Sequence, residues 1–391
     1  MQRFHFIRFF LGYDLTQATP DHSTLSIIRS RLGEETYQKV FLLILCALQE
    51  HGLVKGQNVG IDASVIEANA ALKSLVNRDT EEAYWEYVRR LASESGVDPK
   101  DSEAVRQFDR KRAKKMSNDE WQNPHDPDAK IGPTKAGGID MIYKPEHTVD
   151  LDTGAILQAE VRLGHEADQK DLALHVLQAQ ENINQAQDLP TGSLTVQSAT
   201  ADKGYYAVSE MSQLQQEGIR TVISDPIKNR NLEKLSPEEV DTVRRAKRSA
   251  RSESGKKLLK KRGMHLERSF AHLLDAGGAR RTTLRGLENL NKRFKVAAAI
   301  YNLSQLMRAL WGVGTPKQWA AGVKTLAWIF CRLFWTGCSR SVAEMKCQAS
   351  GLNSQWGQIR TTLVTWVTHP AVAFSRASSP NLKNALCSTG C

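Results

Sequence analysis

The order in which hydrophobic periodicity changes between residues 58 and 225 leaves few folds open. NVGIDASVIEA, from Asn58, is a short β-branched run and predicts a buried strand containing Asp62. Residues 139–163 predict two further strands around Asp152-Thr153-Gly154, a turn signal that makes them a hairpin. A helix is expected over 168–184, followed by SLTVQSATADKGYY, a strand whose end delivers Asp202. A helix over 207–216 and a short strand, RTVISD at 220–225, complete the series. Strand, hairpin, helix, strand, helix, strand is the order of a mixed α/β sheet with crossover helices.

The flanks read differently. Residues 1–57 predict a small helical N-terminal domain: Pro20-Asp21-His22-Ser23 sets up an N-cap, and Glu34 to Gly52 carries apolar residues at helical spacing. The chain opens on FHFIRFFLGYDL, hydrophobic from the start, as if a longer N-terminal part preceded it. Residues 70–135 mix a helix around 81–93 with RQFDRKRAKK and NPHDPDAKIGP, and are expected to be an insertion or a flexible linker. A second polar insertion is expected at 226–262, before helices over MHLERSFAHLLD and 286–310. The sheet-bearing domain thus spans 58–313, and residues 314–391 form a tail to which the sequence assigns no role.

Charge is unevenly spread. Residues 226–313 hold 21 Lys and Arg against 8 Asp and Glu, so this segment carries +13 in a chain whose net charge is +10. That favours a polyanionic partner without bearing on fold. Five of the six cysteines (Cys331, Cys338, Cys347, Cys387 and Cys391) lie in the last 61 residues, at spacings that make no zinc site, and read as reduced cytosolic thiols. Neither Val40–Leu48 nor Leu326–Trp335 is long and apolar enough for a membrane span, and the start lacks a signal-peptide pattern, so a cytoplasmic protein is expected.

Three carboxylates stand where metal-assisted cleavage of a phosphodiester would need them. Two Mg²⁺ ions roughly 3.5 to 4 Å apart can stabilise both the attacking and the leaving oxygen of such a reaction, and Mg²⁺ takes hard oxygen ligands. Asp62 and Asp202 end strands, and Glu267 lies at the edge of the apolar face made by Leu266, Phe270, Leu273 and Leu274. Each has an ordinary reading too: a turn-capping aspartate, a simple Asp-Lys-Gly turn, a solvated helical glutamate. Ile61, Val65 and Ile66 predict burial around Asp62, and an unpaired carboxylate is costly to bury.

GIDASVIEANA, TADKGYY and ERSFAHLLDAGGARRTTLRGLENLNKRF, in that order, resemble the three signature regions of bacterial insertion-sequence DDE transposases. The likeness runs from FFLGYDL to about Pro316 and leaves the C-terminal tail uncovered. It implies an RNase H-like catalytic domain, two Mg²⁺ or Mn²⁺ ions, and hydrolysis at transposon ends followed by attack of the freed 3′-OH on target DNA. Carried over by motif, Asp62, Asp202 and Glu267 are the three metal ligands. Some relatives place a Tyr and an Arg before the Glu and a Lys seven residues after it; here Gly263 stands four before and Leu274 seven after.

The basic residues supply the DNA side. The run from Arg244 to Arg262, with Lys256, Lys257, Lys260, Lys261 and Arg262 nearest Glu267, reads as a flexible, solvated loop making non-specific phosphate contacts. Arg268, Arg280, Arg281 and Arg285 are candidate phosphate clamps. His165, Glu166 and Asp168 form a HEAD segment open to a metal or a helix-capping reading, and Tyr205 and Tyr206 to base stacking or core. The expected function is a DNA transposase acting on terminal inverted repeats and target DNA as a homodimer. A catalytically inactive DNA-binding remnant and a nuclease without strand transfer are the other two readings. Should Glu267 point away from the aspartates, Glu253 or Glu288 would replace it.

Overall fold

The computed structural model describes Asp14, residues 21–112, 117–135, 137–190, 193–227, 230–233 and 235–314, and Gln318. The chain divides into two compact units, Met1–Pro316 and Lys317–Cys391; the fold below is that of the first. The expectations for the opening FHFIRFF segment, for the C-terminal cysteines and for the role of the tail lie outside the described residues.

In chain order the elements are α1 (His22–Arg31), α2 (Glu34–Glu50), β1 (Asn58–Ala63), β2 (Ile66–Glu67), β3 (Val76–Asn77), α3 (Tyr84–Glu94) and α4 (Ser102–Lys111). They continue with β4 (Trp121–Gln122), β5 (Lys130–Pro133), β6 (Ile139–Asp150), β7 (Ile156–Leu163), α5 (Leu172–Gln187) and β8 (Ser198–Ala201). The series closes with α6 (Val208–Gln216), β9 (Arg220–Ile223), α7 (Pro237–Arg251), α8 (Glu253–Phe270) and α9 (Leu287–Trp311).

Long β6 organises the sheet. It pairs antiparallel with β7 through the Asp152-Thr153-Gly154 hairpin, where Gly154 takes φ +82°, and antiparallel with β1. β1 then pairs parallel with β8, and β8 parallel with β9. Three antiparallel strands continued by two parallel ones, with helices against the sheet, make a mixed α/β architecture compatible with an RNase H-like fold. The core is continuous: Val59 and Ile61 of β1, Val149 and Leu151 at the end of β6, Val176 and Ile183 of α5, and Leu266 and Phe270 of α8 are all buried in it.

Helix α2 sends Phe41, Leu45 and Leu48 into that same core and packs on α5 and α9. Residues 70–135 hold α3, α4 and the β3–β4 ribbon around Trp121, which is 1% exposed and packs edge-on against Tyr84 and Tyr87. The described residues of this stretch are therefore folded, where a flexible linker is one of the two expectations. The same holds for the basic stretch, expected from its charge to be a flexible loop: it is two helices. Ser236 and Glu239 close a capping box with Pro237 at the first helical position of α7. Ser252 then ends α7 and caps α8 by accepting from the Gly255 N–H. Arg220 of β9 donates to Ser249 and Ser252 at this corner and fastens it to the sheet edge. A side chain at Gly255 would collide with the Ser249 carbonyl, so the corner needs a glycine there.

Candidate active site

The site sits at the carboxyl ends of β1 and β8. In β1 the buried Val59, Gly60 and Ile61 hold the strand in the sheet and leave Asp62 at its end. The parallel register pairs Asn58 with Ser198, Val59 with Ala199 and Gly60 with Thr200. Carried two residues further, the same offset sets Asp62 abreast of Asp202. Asp202 caps the short 3-10 turn Lys203–Tyr205, accepting from the Gly204 N–H.

Asp62 has one cationic partner, and burial outweighs it. Its Oδ1 accepts from the Ala63 N–H at 3.0 Å and lies 2.9 Å from the Arg262 guanidinium. Burial nevertheless pushes its carboxyl up to about 6; Arg262 and the Ala63 N–H pull it down, and the nearby Asp202 and Asp168 add to the rise. Asp168, from the HEAD segment, is thus brought beside the two strand-end aspartates. Its Oδ1 takes the Lys144 ammonium at 2.7 Å, and its other oxygen flanks Gly204, where a Cβ would sit 3.4 Å from it and 3.1 Å from Asp202. The rest of HEAD is structural: Glu166 pairs with Arg162 at 3.0 Å, and His165 is exposed.

Glu267 is exposed on α8 and shares with Asp62 an open cleft of about 600 Å³ that Ser64, Lys135, Phe270 and Arg280 also line. Asp202 is not part of that lining. Among the described residues, no three His, Cys, Asp or Glu side chains stand close enough together to hold a metal ion. The structure therefore brings Asp62 to Asp202 and, separately, Asp62 to Glu267, without closing the triad. Glu253 and Glu288 pair with Lys256 and Lys292 and are not in the cleft lining.

Beneath the strand ends lies a polar layer that sequence reasoning missed. Glu146, fully buried opposite Ala63, is 2.9 Å from Arg162. Burial pushes its carboxyl up to about 7 against the pull of Arg162. Tyr205, 1% exposed, lies beside it, and Tyr206 is 5% exposed, so both tyrosines belong to the core and not to a stacking platform. On the other side of β6, His147 stands opposite Asp62 in register, its Nε2 2.6 Å from the Ser269 hydroxyl of α8. Complete burial lowers its imidazole to about 3, so it is neutral. The polar run Glu146-His147-Thr148 inside a predicted strand, in KPEHTVD, is the signal that could have flagged this layer.

The basic candidates divide by what already engages them. Lys257, Lys260, Arg268 and Arg281 are exposed. Lys256 pairs with Glu253, Lys261 with Asp152 at 2.7 Å, and Arg262 with Asp62. Arg280 bonds Asp275 and, at 3.0 Å, the Ser64 hydroxyl, while Arg285 donates to the Asn69 carbonyl.

A mixed sheet that sets two aspartates side by side on parallel strand ends, backed by a strongly basic pair of helices, places the chain in the class of α/β proteins compatible with an RNase H-like fold. Residues 225–307 match the family described as a transposase DDE domain. The matched stretch contains α7, α8 with Glu267, and most of α9; Asp62 and Asp202 precede it. No curated protein matches the chain. A transposase domain implies a DNA substrate, and DDE transposases generally use divalent metal ions. The donors fit such an ion in kind: Asp62 and Asp202 offer hard oxygens, and the raised Asp62 carboxyl marks a position where added positive charge is favoured. Among the described residues, no helix is long and apolar enough to cross a membrane.

Proposed function

We propose that this protein is a metal-dependent DNA transposase that cuts at the terminal inverted repeats of a mobile element and joins the freed 3′-OH to target DNA, in the cytoplasm and as a pair of copies that treats both ends together. The observation that carries this reading is the β1–β8 register that aligns Asp62 with Asp202 in a chain whose residues 225–307 match a transposase DDE domain. Asp62 and Asp202 would hold Mg²⁺ or Mn²⁺, two ions in the full site, with Glu267 as the third ligand reaching across the cleft it shares with Asp62. The ions would stabilise charge on the attacking and leaving oxygens of the phosphodiester.

The chain's own groups do the rest. Ser64, Lys135 and Arg280 line the cleft together with the carboxylates, so a DNA strand laid there meets cations as well as carboxylates. Lys257, Lys260, Arg268 and Arg281 are free to contact flanking phosphates without reading sequence, which gives binding a steep salt dependence. Lys144 holds Asp168 so that this fourth carboxylate neither drifts into the strand-end pair nor repels it further.

Cleavage and strand transfer measured on DNA carrying candidate ends, with Mg²⁺, test the reading. Asp62→Ala, Asp202→Ala and Glu267→Ala are each expected to lower the cutting rate by at least about 100-fold, the order seen when a group that stabilises transition-state charge is lost. Undiminished cutting by one variant removes that residue from the site. Cleavage without joining supports the nuclease reading, and an inert parent that still binds DNA supports the remnant.

A further inference from the structure

Arg262 lies on α8 five residues before Glu267, yet its guanidinium does not point into solvent towards DNA. Its stem passes beside Gly60, where an added Cβ would clash with Leu151 at 2.6 Å and sit 3.3 Å from the arginine Cγ. Nε donates to the Ile61 carbonyl at 3.1 Å, and the terminal nitrogen lies 2.9 Å from Asp62 Oδ1. The side chain is 13% exposed. The backbone acceptor at Nε thus holds the guanidinium beside the carboxylate of the expected first metal ligand, at ion-pair distance but without a hydrogen bond from its terminal nitrogen. Lys144, which also lies near the strand ends, is committed to Asp168.

We propose that Arg262 is the resident counter-cation of the metal-free site, occupying Asp62 until a divalent ion displaces it. The inference rests on the metal-centre reading above. The guanidinium faces Asp62 Oδ1, so a divalent ion taking that oxygen meets strong repulsion from Arg262 and displaces it. The arrangement keeps a buried carboxylate paired when no ion is present, which otherwise costs stability. It also makes Arg262 a positioning residue whose loss strengthens ion binding, the reverse of what loss of a merely structural arginine would do. Once released, the guanidinium is tethered by α8 within one turn and a half of Glu267, on the helix that borders the cleft.

The test is calorimetric titration of the full chain with Mn²⁺ in the absence of DNA, for the parent, Arg262→Met, Arg262→Gln, Arg262→Lys and Asp62→Asn. Met keeps the aliphatic stem beside Gly60, and Gln provides a second neutral side chain should the first fold poorly. Both are expected to bind Mn²⁺ about tenfold more tightly than the parent, and Lys, which keeps the charge, to stay within about threefold of it. Neutral variants that bind no tighter than the parent overturn the proposal, as does a Lys variant that tightens as much as Met. Asp62→Asn is expected to lose at least about tenfold in affinity; parent-like binding by that variant overturns the metal-centre reading itself, a failure distinct from that of the Arg262 proposal.

Discussion

Replacing Asp62 by Asn should abolish cutting and, in the absence of metal, make the protein more stable. The folded-state carboxyl titrates at about 6 against an ordinary value of 3.8, chiefly because burial disfavours its charged form. A tenfold change in proton affinity is worth about 1.4 kcal/mol, so ionised Asp62 costs the folded state about 3 kcal/mol at most. Its side chain keeps 31% exposure, and Arg262 loses its partner in the variant, which reduces the expected gain to about 1–2 kcal/mol. The sign with pH follows from the direction in which burial moves the carboxyl. Between 3.8 and about 6 the folded chain holds a proton that the unfolded chain has released, so the penalty is absent below this window and complete above it. Urea denaturation of both proteins at pH 7.5 in chelator should show the larger midpoint for Asp62→Asn, and at pH 4 most of the difference should be gone. Excess Mg²⁺ should raise the parent's midpoint and leave the variant's unchanged, since only an ion bound to the folded state shifts the equilibrium. A variant less stable than the parent at pH 7.5 in chelator would refute the argument that burial costs ionised Asp62 more than Arg262 returns.

Three further outcomes follow from the surroundings of the site. His147, with its imidazole lowered to about 3 by burial, takes no proton in the folded state while the unfolded chain takes one below about 6.5, so stability falls by about 1.4 kcal/mol per pH unit as pH drops through that window. His175, lowered to about 4, adds a similar slope, and His265 and His272 are lowered as well, so His147→Gln should remove part but not all of the histidine-linked acid loss in denaturation measured from pH 7 to 4.5. Arg162→Met leaves the buried Glu146 carboxylate without its partner and should cost about 3–5 kcal/mol by urea denaturation; a cost below about 1 kcal/mol would show that the pair does not hold the layer beneath the strand ends. Ser236→Ala removes the capping box of α7 and should cost about 1 kcal/mol in thermal unfolding, with faster amide exchange in the first turn of that helix.

Much of the scaffold is legible in the sequence, because strands and helices announce themselves through local periodicity. The strand holding Asp62, the strand leading to Asp202 and the Asp-Thr-Gly hairpin lie where the pattern puts them, although the NVGIDASVIEA run divides into Asn58–Ala63 and Ile66–Glu67 and the helix carrying Glu267 begins earlier, at Glu253. The basic stretch reads as a loop because its charges outweigh a local signal that is present, Ser236-Pro237-Glu238-Glu239, which starts a helix whatever follows. What no local pattern can supply is partnership across the chain. The offset that aligns Asp62 with Asp202 is set by how β1 and β8 bury their apolar residues in the sheet, 140 residues apart. The phase of α8 tells that Glu267 borders an apolar face, but only the packed helix decides that Arg262 reaches Asp62 while Glu267 stays across the cleft. Likewise Asp168 looks like a surface cap until the fold carries it beside the strand ends. The residue types and the order of elements were determined by the sequence alone. Which charge neutralises which was decided by tertiary structure, since that depends on distances fixed only once the sheet has closed around its core.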